Sequence, residues 1–291
     1  MGMGQCFRGI PDEEQLGPHS LEIVNYPIPT KPLSEGIKPL EEETSQRSKF
    51  YTLHIMQHPD DGIGYQVWPA AFALVQYLAQ NYDLQGCHVL ELGSGPGLGG
   101  IACAHLGADV LLTDMQHVIP LSQLNVENNP LPVGSTGAMS VNELTWGGDL
   151  QDTFAGISFD LIVGSDLTYF ERYSEALLIT LLQLASNTKV LLADSHREGA
   201  HPWKEHFGKY FDVRLASTLP PECILHRPPP SPDRAYEYLA ISMYELSLRS
   251  VSCKEQLLRL IQSYQAKEQQ RISRMEAHLE RMGLLDEKRG S

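Results

Sequence analysis

Short apolar runs bounded by glycine and proline alternate along this chain with stretches whose apolar positions recur every three or four residues. The first pattern predicts strands and the second predicts helices. Ser20 to Tyr26 reads as a short strand ended by Pro27, and Phe50 to Met56 alternates like another. Ala70 to Gln80 reads as a helix with Ala71, Leu74, Val75 and Leu78 on one face, and Pro69 fits its first position. Val89 and Leu90 open a strand, and Ile101 to Leu106 reads as a helix stopped by Gly107. Asp109 to Thr113 is a strand, Val118 to Asn128 a helix, and Met139 to Leu144 a strand. Phe159 to Gly164 is a continuous apolar run, as in a parallel strand buried on both faces. Glu171 to Ala185 is a helix, Thr188 to Ala193 a strand and Trp203 to Lys209 a short helix. Tyr210 to Ser217 and Ala235 to Tyr244 read as two last strands, separated by a proline-rich loop. Strand and helix in alternation predict an α/β fold, a doubly wound and mostly parallel sheet with helices on both faces.

From Cys253 to Met282 the pattern changes to an amphipathic helix of about eight turns. Its stripe of Leu257, Ile261 and Tyr264 slips in phase before Ile272, Met275, Leu279 and Met282, which argues against a long regular coiled coil. It either packs on the domain or holds a partner helix. Three regions follow: a partly ordered, proline-rich extension over 1–49, a main domain over 50–248, and the C-terminal amphipathic helix over 249–291.

Composition narrows the classes. Of 291 residues, 42% are hydrophobic and 20% charged, as in a globular protein. No run reaches the about 18 apolar residues of a membrane span, and the N-terminus lacks the apolar core of a signal peptide. Met1-Gly2 resembles the start of a myristoylation signal, but Cys6 stands where Ser or Thr is expected. The net charge of −14 disfavours nucleic acid as a partner and favours a protein substrate with a basic segment. Five scattered cysteines without a C-x-x-C pair indicate a reduced setting, the cytoplasm with the nucleus as a second location. No metal site is expected: His54 and His58 lack a third ligand nearby and read as surface histidines.

The candidate chemistry centres on Cys87 to Gly100, a strand, a glycine-rich turn and the start of a helix. Gly95-Pro96-Gly97-Leu98-Gly99-Gly100 satisfies the G-x-G-x-x-G pattern, which alone is a weak signal. A pyrophosphate wants a helix N-terminus without a nearby anion, and Glu91 stands just before the turn. That carboxylate suits a ligand carrying an ammonium and a sulfonium, so the loop reads better for S-adenosylmethionine than for NAD. Asp114 ends the next strand about twenty positions past the turn, where such folds place an acid on ribose hydroxyls, though it could merely cap the next helix. In a doubly wound sheet the Phe159–Gly164 strand neighbours the first strand across the switch point, where ligands bind at the carboxyl ends. Asp166 and Tyr169 should therefore face the same crevice as the glycine loop. Trp68, at a loop-to-helix junction, is either a core aromatic or a wall of that crevice.

The motifs Val67-Trp68, Glu91-Leu-Gly-Ser-Gly-Pro-Gly-Leu-Gly-Gly100, Thr113-Asp114, Leu144-Thr-Trp-Gly147 and Ser165-Asp-Leu-Thr-Tyr169 occur in this order over roughly residues 50 to 245. In them the chain resembles the seven-β-strand methyltransferases of family 16, in particular the methyltransferase-like 21 group of protein-lysine methyltransferases with its D-x-x-Y signature. The resemblance implies a Rossmann-like class I methyltransferase fold with seven strands, the last antiparallel. It implies S-adenosyl-L-methionine as cofactor, with Gly93, Ser94 and Gly95 at the methionine part and Gly97 in the same loop. Asp114, with Met115 beside it, would hold the ribose, and Trp68, Trp146 and Ser165 would line the pocket. Asp166 would accept a hydrogen bond from the incoming amine, and Tyr169 would wall the lysine channel.

The expected function is transfer of a methyl group to a lysine of a non-histone protein. An arginine, histidine or small-molecule acceptor is the second enzyme reading, since the methyltransferase-like 23 group shares Val-Trp-Pro and Leu-Thr-Trp. A non-catalytic interaction protein on the same fold is the third, and a NAD-dependent enzyme the weakest.

Overall fold

The computed structural model describes residues 22–29, 50–150, 153–154, 156–185, 188–196, 202–226, 239–249 and 254–282. The chain begins with a two-stranded antiparallel ribbon, β1 (Glu22–Pro29) and β2 (Phe50–Gln57). Then come α1 (Pro69–Asn81), β3 (His88–Leu92), α2 (Leu98–His105), β4 (Asp109–Asp114), α3 (Ile119–Asn128) and β5 (Ala138–Glu143). The second half holds β6 (Leu161–Ser165), α4 (Glu171–Leu184), β7 (Lys189–Ser195), α5 (Trp203–Phe207), β8 (Phe211–Leu219), β9 (Ile241–Leu248) and α6 (Lys254–Arg281).

The main sheet has seven strands in the order β5-β4-β3-β6-β7-β9-β8. Strands β3 to β7 run parallel, and β9 is antiparallel to both β7 and β8. This is the expected doubly wound, mostly parallel sheet, and the order reverses between β3 and β6. The crevice at their carboxyl ends is where such a sheet accepts a ligand.

The alternation along β3 sorts the two faces. Val89 belongs to a core shared with α1, α2 and the β1–β2 ribbon, whereas Leu90 and Leu92 belong to a second core under α4 and α5. Helix α1 is almost entirely buried, because its small and aliphatic residues face the sheet on one side and the ribbon on the other. The ribbon is fastened by two asparagines, one in α3 and one that caps it. Asn125 Oδ1 accepts the Met56 N–H at 2.8 Å, and its amide donates to the carbonyls of Met56 and Pro96, each at 2.8 Å. Asn129 makes a similar pair with the backbone of His54 at 2.8 and 3.0 Å.

Several expectations shift. β1 is longer than Ser20–Tyr26, and its Val24, Tyr26 and Ile28 enter the first core although they lie in the stretch read as an extension. The last strand starts at Ile241 rather than Ala235, and the proline-rich loop before it lies outside the described residues. So does the N-terminal Met1-Gly2 signal. His58 is buried rather than on the surface, because the chain turns inward after β2 and its backbone N–H donates to the Tyr65 carbonyl at 2.8 Å. His54 is exposed, with Nδ1 2.6 Å from Asn25 Oδ1. No helix of the described residues is long and apolar enough to cross a membrane.

Candidate active site

A cavity of about 450 Å³ opens at the carboxyl ends of β3, β4 and β6. Eight of the ten residues expected at the cofactor line it: Trp68, Gly93, Ser94, Gly95, Asp114, Met115, Trp146 and Ser165. Asp166 and Tyr169 line it too. Glu91 and Gly97 do not.

The turn after β3 takes its shape from its glycines. Gly93, at φ +60°, has no room for a side chain: a Cβ there would stand 2.7 Å from Leu167 Cδ2 and 3.1 Å from Trp146 Cζ2. Ser94 is buried, and its hydroxyl has no hydrogen-bond partner among the described residues. A buried unpartnered hydroxyl facing a cavity calls for a polar ligand group. Asp114 stands beside this turn. Its Oδ2 accepts the Gly95 N–H at 2.8 Å and its Oδ1 the Met115 N–H at 2.7 Å. Desolvation pushes its carboxyl up to about 6, while these two N–H groups pull the other way.

Glu91 departs from its expected place. On β3 it shares a face with Val89, not with Leu90 and Leu92, so it points under the first turn of α2. Its Oε2 accepts the Gly100 N–H at 2.8 Å, and Gly99 and Gly100 are glycines because a Cβ on either would run into its carboxyl. Burial raises that carboxyl to about 8, so it is mostly neutral at pH 7. Glu91 therefore presents no charge to the cavity, and the electrostatic argument it offered against a dinucleotide falls. Gly97 is the left-handed N-cap of α2, at φ 92°, and packs on Leu112 and Ile101.

Beyond β6, Asp166 sits in the left-handed region at φ 53°. For a residue with a side chain that is a strained backbone, held only where the surroundings over-determine it. The surroundings are the end of β7. Asp166 N–H donates to the Ala193 carbonyl at 2.8 Å. Its Oδ1 accepts the Ser195 N–H at 2.9 Å and its Oδ2 the Ser195 hydroxyl at 2.8 Å. Two residues on, the Thr168 hydroxyl donates to Asp194 Oδ1 at 2.7 Å, while Trp203 Nε1–H donates to Asp194 Oδ2 at 2.9 Å. The Asp166–Tyr169 loop is thus bolted to β7, and Asp166 does not cap α4, whose N-cap is Phe170. Tyr169 stands half-buried among Phe170 and Tyr173, its ring 4.8 and 5.9 Å from theirs.

Residues that the motifs did not mark complete the walls. The turn before α1 supplies Ile63, Tyr65 and Gln66, and Trp68 Nε1–H donates to the Ile63 carbonyl at 2.9 Å. The glycines of Gly62-Ile63-Gly64 were the signal for that turn. Ser195 could have been found from the parallel pairing of β6 with β7, which sets Ser165 beside Ala193. Helix α6 adds Tyr264, Gln265, Glu268 and Gln269. Burial, then Glu268 and Glu175, push the Tyr264 phenol up to about 12. The ionisable lining is acidic: Asp114, Asp166 and Glu268, with no Lys or Arg among the described residues. His117 lines it with its pKa lowered by burial. No cluster of three or more His, Cys, Asp or Glu among the described residues could hold a metal ion.

A family profile described as lysine methyltransferase matches residues 47–211. The chain is 39% identical over 168 residues to protein N-lysine methyltransferase METTL21A of Danio rerio, covering 55% of this chain and 76% of that protein. It is 43% identical over 132 residues to METTL21A of Mus musculus, covering 45% and 60%. It is 36% identical over 160 residues to EEF1A lysine methyltransferase 3 of Mus musculus, covering 53% and 67%. Among solved structures, magnesium protoporphyrin IX methyltransferase of Synechocystis PCC 6803 aligns with a TM-score of 0.42 at 16% identity, covering 61% of this chain and 77% of that one, too distant to carry an argument. The fold and site define a class I methyltransferase of the Rossmann-like type, with S-adenosylmethionine as its methyl donor. The chain belongs to the lysine methyltransferase family.

Proposed function

We propose that the protein is a protein-lysine N-methyltransferase acting on a lysine of a non-histone protein, through a basic segment. One observation carries this reading: a single cavity joins the glycine loop and Asp114 to the Asp166–Tyr169 loop, and its ionisable walls are acidic. Relatives of the same family are named protein N-lysine methyltransferases.

The residues present fit S-adenosylmethionine. Ser94 offers its unpartnered hydroxyl to the amino-acid part, Gly93 and Gly95 let the backbone approach, and Asp114 accepts from the ribose hydroxyls. Trp68, Met115, Trp146 and Ser165 line the rest, and Gly97 caps the helix that follows. Bound there, the cofactor supplies a methyl group on a sulfonium. Asp166, fixed by Ser195, accepts an N–H of the incoming amine and so aims the amine's lone pair into the cavity. Such positioning supplies much of the rate in an in-line transfer. A lysine amine ordinarily titrates near ~10.4, and desolvation between Tyr169, Tyr173 and Leu167 favours its neutral, nucleophilic form. The Tyr169 ring tolerates the positive charge that develops on nitrogen.

Cys87, Cys103 and Cys223 are free thiols, which supports a reducing compartment, cytoplasm or nucleus. The outer half of α6, with Met275 and Met282 exposed, is the part open to a partner helix.

The test is transfer of tritiated methyl from S-adenosylmethionine into an extract of cells lacking the protein. Label recovered as methyl-lysine in one band, and lost with Asp166→Ala, supports the reading. Label recovered as methyl-arginine or methyl-histidine would move the acceptor, and label in small molecules only would exclude a protein substrate.

A further inference from the structure

Helix α6 lies outside the residues that the lysine methyltransferase profile matches, yet one face of it forms part of the cavity. Tyr264, Gln265, Glu268 and Gln269 follow the helical repeat, so they fall on a single stripe. The seat of that stripe is built. Ile261 is buried, and Leu260 packs on the second core, which Trp146 also touches. Lys267 Nζ pairs with Glu175 Oε1 of α4 at 2.7 Å, and Arg271 Nη1 approaches Glu268 Oε1 at 3.2 Å. Gly147, at φ +83°, leaves no room for a Cβ, because the Tyr264 ring occupies that space. The crossover from β5 to β6 contains no helix among the described residues, and α6 covers that part of the face beside α4.

The sheet order says which part of a ligand α6 would meet. Asp114 ends β4, and the chain leaving the adjacent β5 is tied to it, with the Leu144 N–H donating to the Asp114 carbonyl at 2.8 Å. A ribose on Asp114, with the amino-acid part at Ser94, sends its base away from β3 and towards Thr145–Gly148. Those four residues line the cavity, and Gly147 among them carries the Tyr264 ring. A purine presents a π face and an edge of donors and acceptors. A tyrosine ring can stack on the first, and glutamine amides, each with donor and acceptor, can pair with the second.

We propose that Tyr264, with Gln265 and Gln269, forms the adenine-side wall of the cofactor site, making α6 a binding element for S-adenosylmethionine. This rests on the cofactor assignment above. The experiment is calorimetry on the full chain with two probes, S-adenosylmethionine and 5′-methylthioadenosine, which keeps base and ribose but lacks the amino-acid part. Wild type binds both. Tyr264→Ala weakens both by the same factor, about tenfold, as loss of a base-stacking ring does. Gln265→Ala with Gln269→Ala, both exposed side chains, weakens both by about threefold with unchanged helicity by circular dichroism. Ser94→Ala weakens S-adenosylmethionine alone. Affinities for 5′-methylthioadenosine within about twofold of wild type in both α6 variants would overturn the proposal, leaving α6 a covering helix. Wild-type protein that binds neither probe would instead overturn the cofactor assignment itself.

Discussion

At the residue scale, Glu91 shows how one side chain can be read correctly as important and wrongly as to why. The sequence places a carboxyl beside a glycine turn, and its position before that turn favoured a charge facing the ligand. Strand alternation sends it the other way, under α2, where it accepts the Gly100 N–H and is raised to about 8. Two of the glycines that made the motif serve this carboxyl rather than the ligand. The linkage has a definite sign. In the unfolded chain Glu91 ionises near its ordinary value of 4.5, while in the folded chain it keeps its proton to about 8. Between those values the folded state binds more protons, so this group's contribution to stability falls as pH rises from about 4.5 to about 8. Glu91→Gln keeps an acceptor for Gly100 and removes the titration. Its melting temperature relative to wild type should rise steadily from pH 5 to pH 8, as followed by thermal denaturation across that range. A difference that stays flat with pH would mean that Glu91 is ionised in the folded protein. Asp166 is the opposite case. The D-x-x-Y motif pointed to it, but nothing in the motif shows that Ser195, on another strand, fixes both of its carboxylate oxygens. That contact is visible only once β6 and β7 are known to pair.

At the element scale, the periodicities carried most of the fold. The strands of the main sheet other than β9, and helices α1 to α5, lie within a few residues of the apolar patterns that predicted them, while β9 starts six residues later than expected. What periodicity cannot carry is which elements meet. The β1–β2 ribbon is an example. Both strands could be recognised, yet their seat depends on Asn125, in the last turn of α3, and on Asn129, its C-cap, polar residues of a helix with a weak apolar pattern. Asn125 is fully buried and ties the ribbon at Met56 to the glycine turn at Pro96. Asn125→Ala removes the partner of one buried backbone group, at Pro96, and of two partly buried ones, at Met56, and should destabilise the fold by about 2–4 kcal/mol, read as a lower denaturant midpoint at unchanged slope. A loss under about 0.5 kcal/mol would mean that water replaces the side chain and that the ribbon is held by apolar burial alone. The phase slip in α6 also has a structural counterpart. The half before the slip packs on α4 and the second core, while the half after it exposes Met275 and Met282.

At the scale of the whole molecule, the sheet order turns scattered motifs into one site. The turn after β3 and the acid ending β4 lie on one side of the switch point, and the Asp166–Tyr169 loop after β6 lies on the other. In the proposed function the work is divided: the β3 and β4 side would hold the methyl donor, and the β6 side, anchored to β7, would orient the acceptor. The acidic lining and the net charge of −14 favour a cationic guest over an anionic one. The division of labour is tested most directly by one variant, Asp166→Asn, measured both for turnover on an unmethylated acceptor protein and for equilibrium affinity towards S-adenosylmethionine. The account predicts that kcat falls by about a hundredfold or more while the cofactor Kd stays within about threefold of wild type. Turnover close to wild type, or a cofactor affinity that falls in step with kcat, would contradict it.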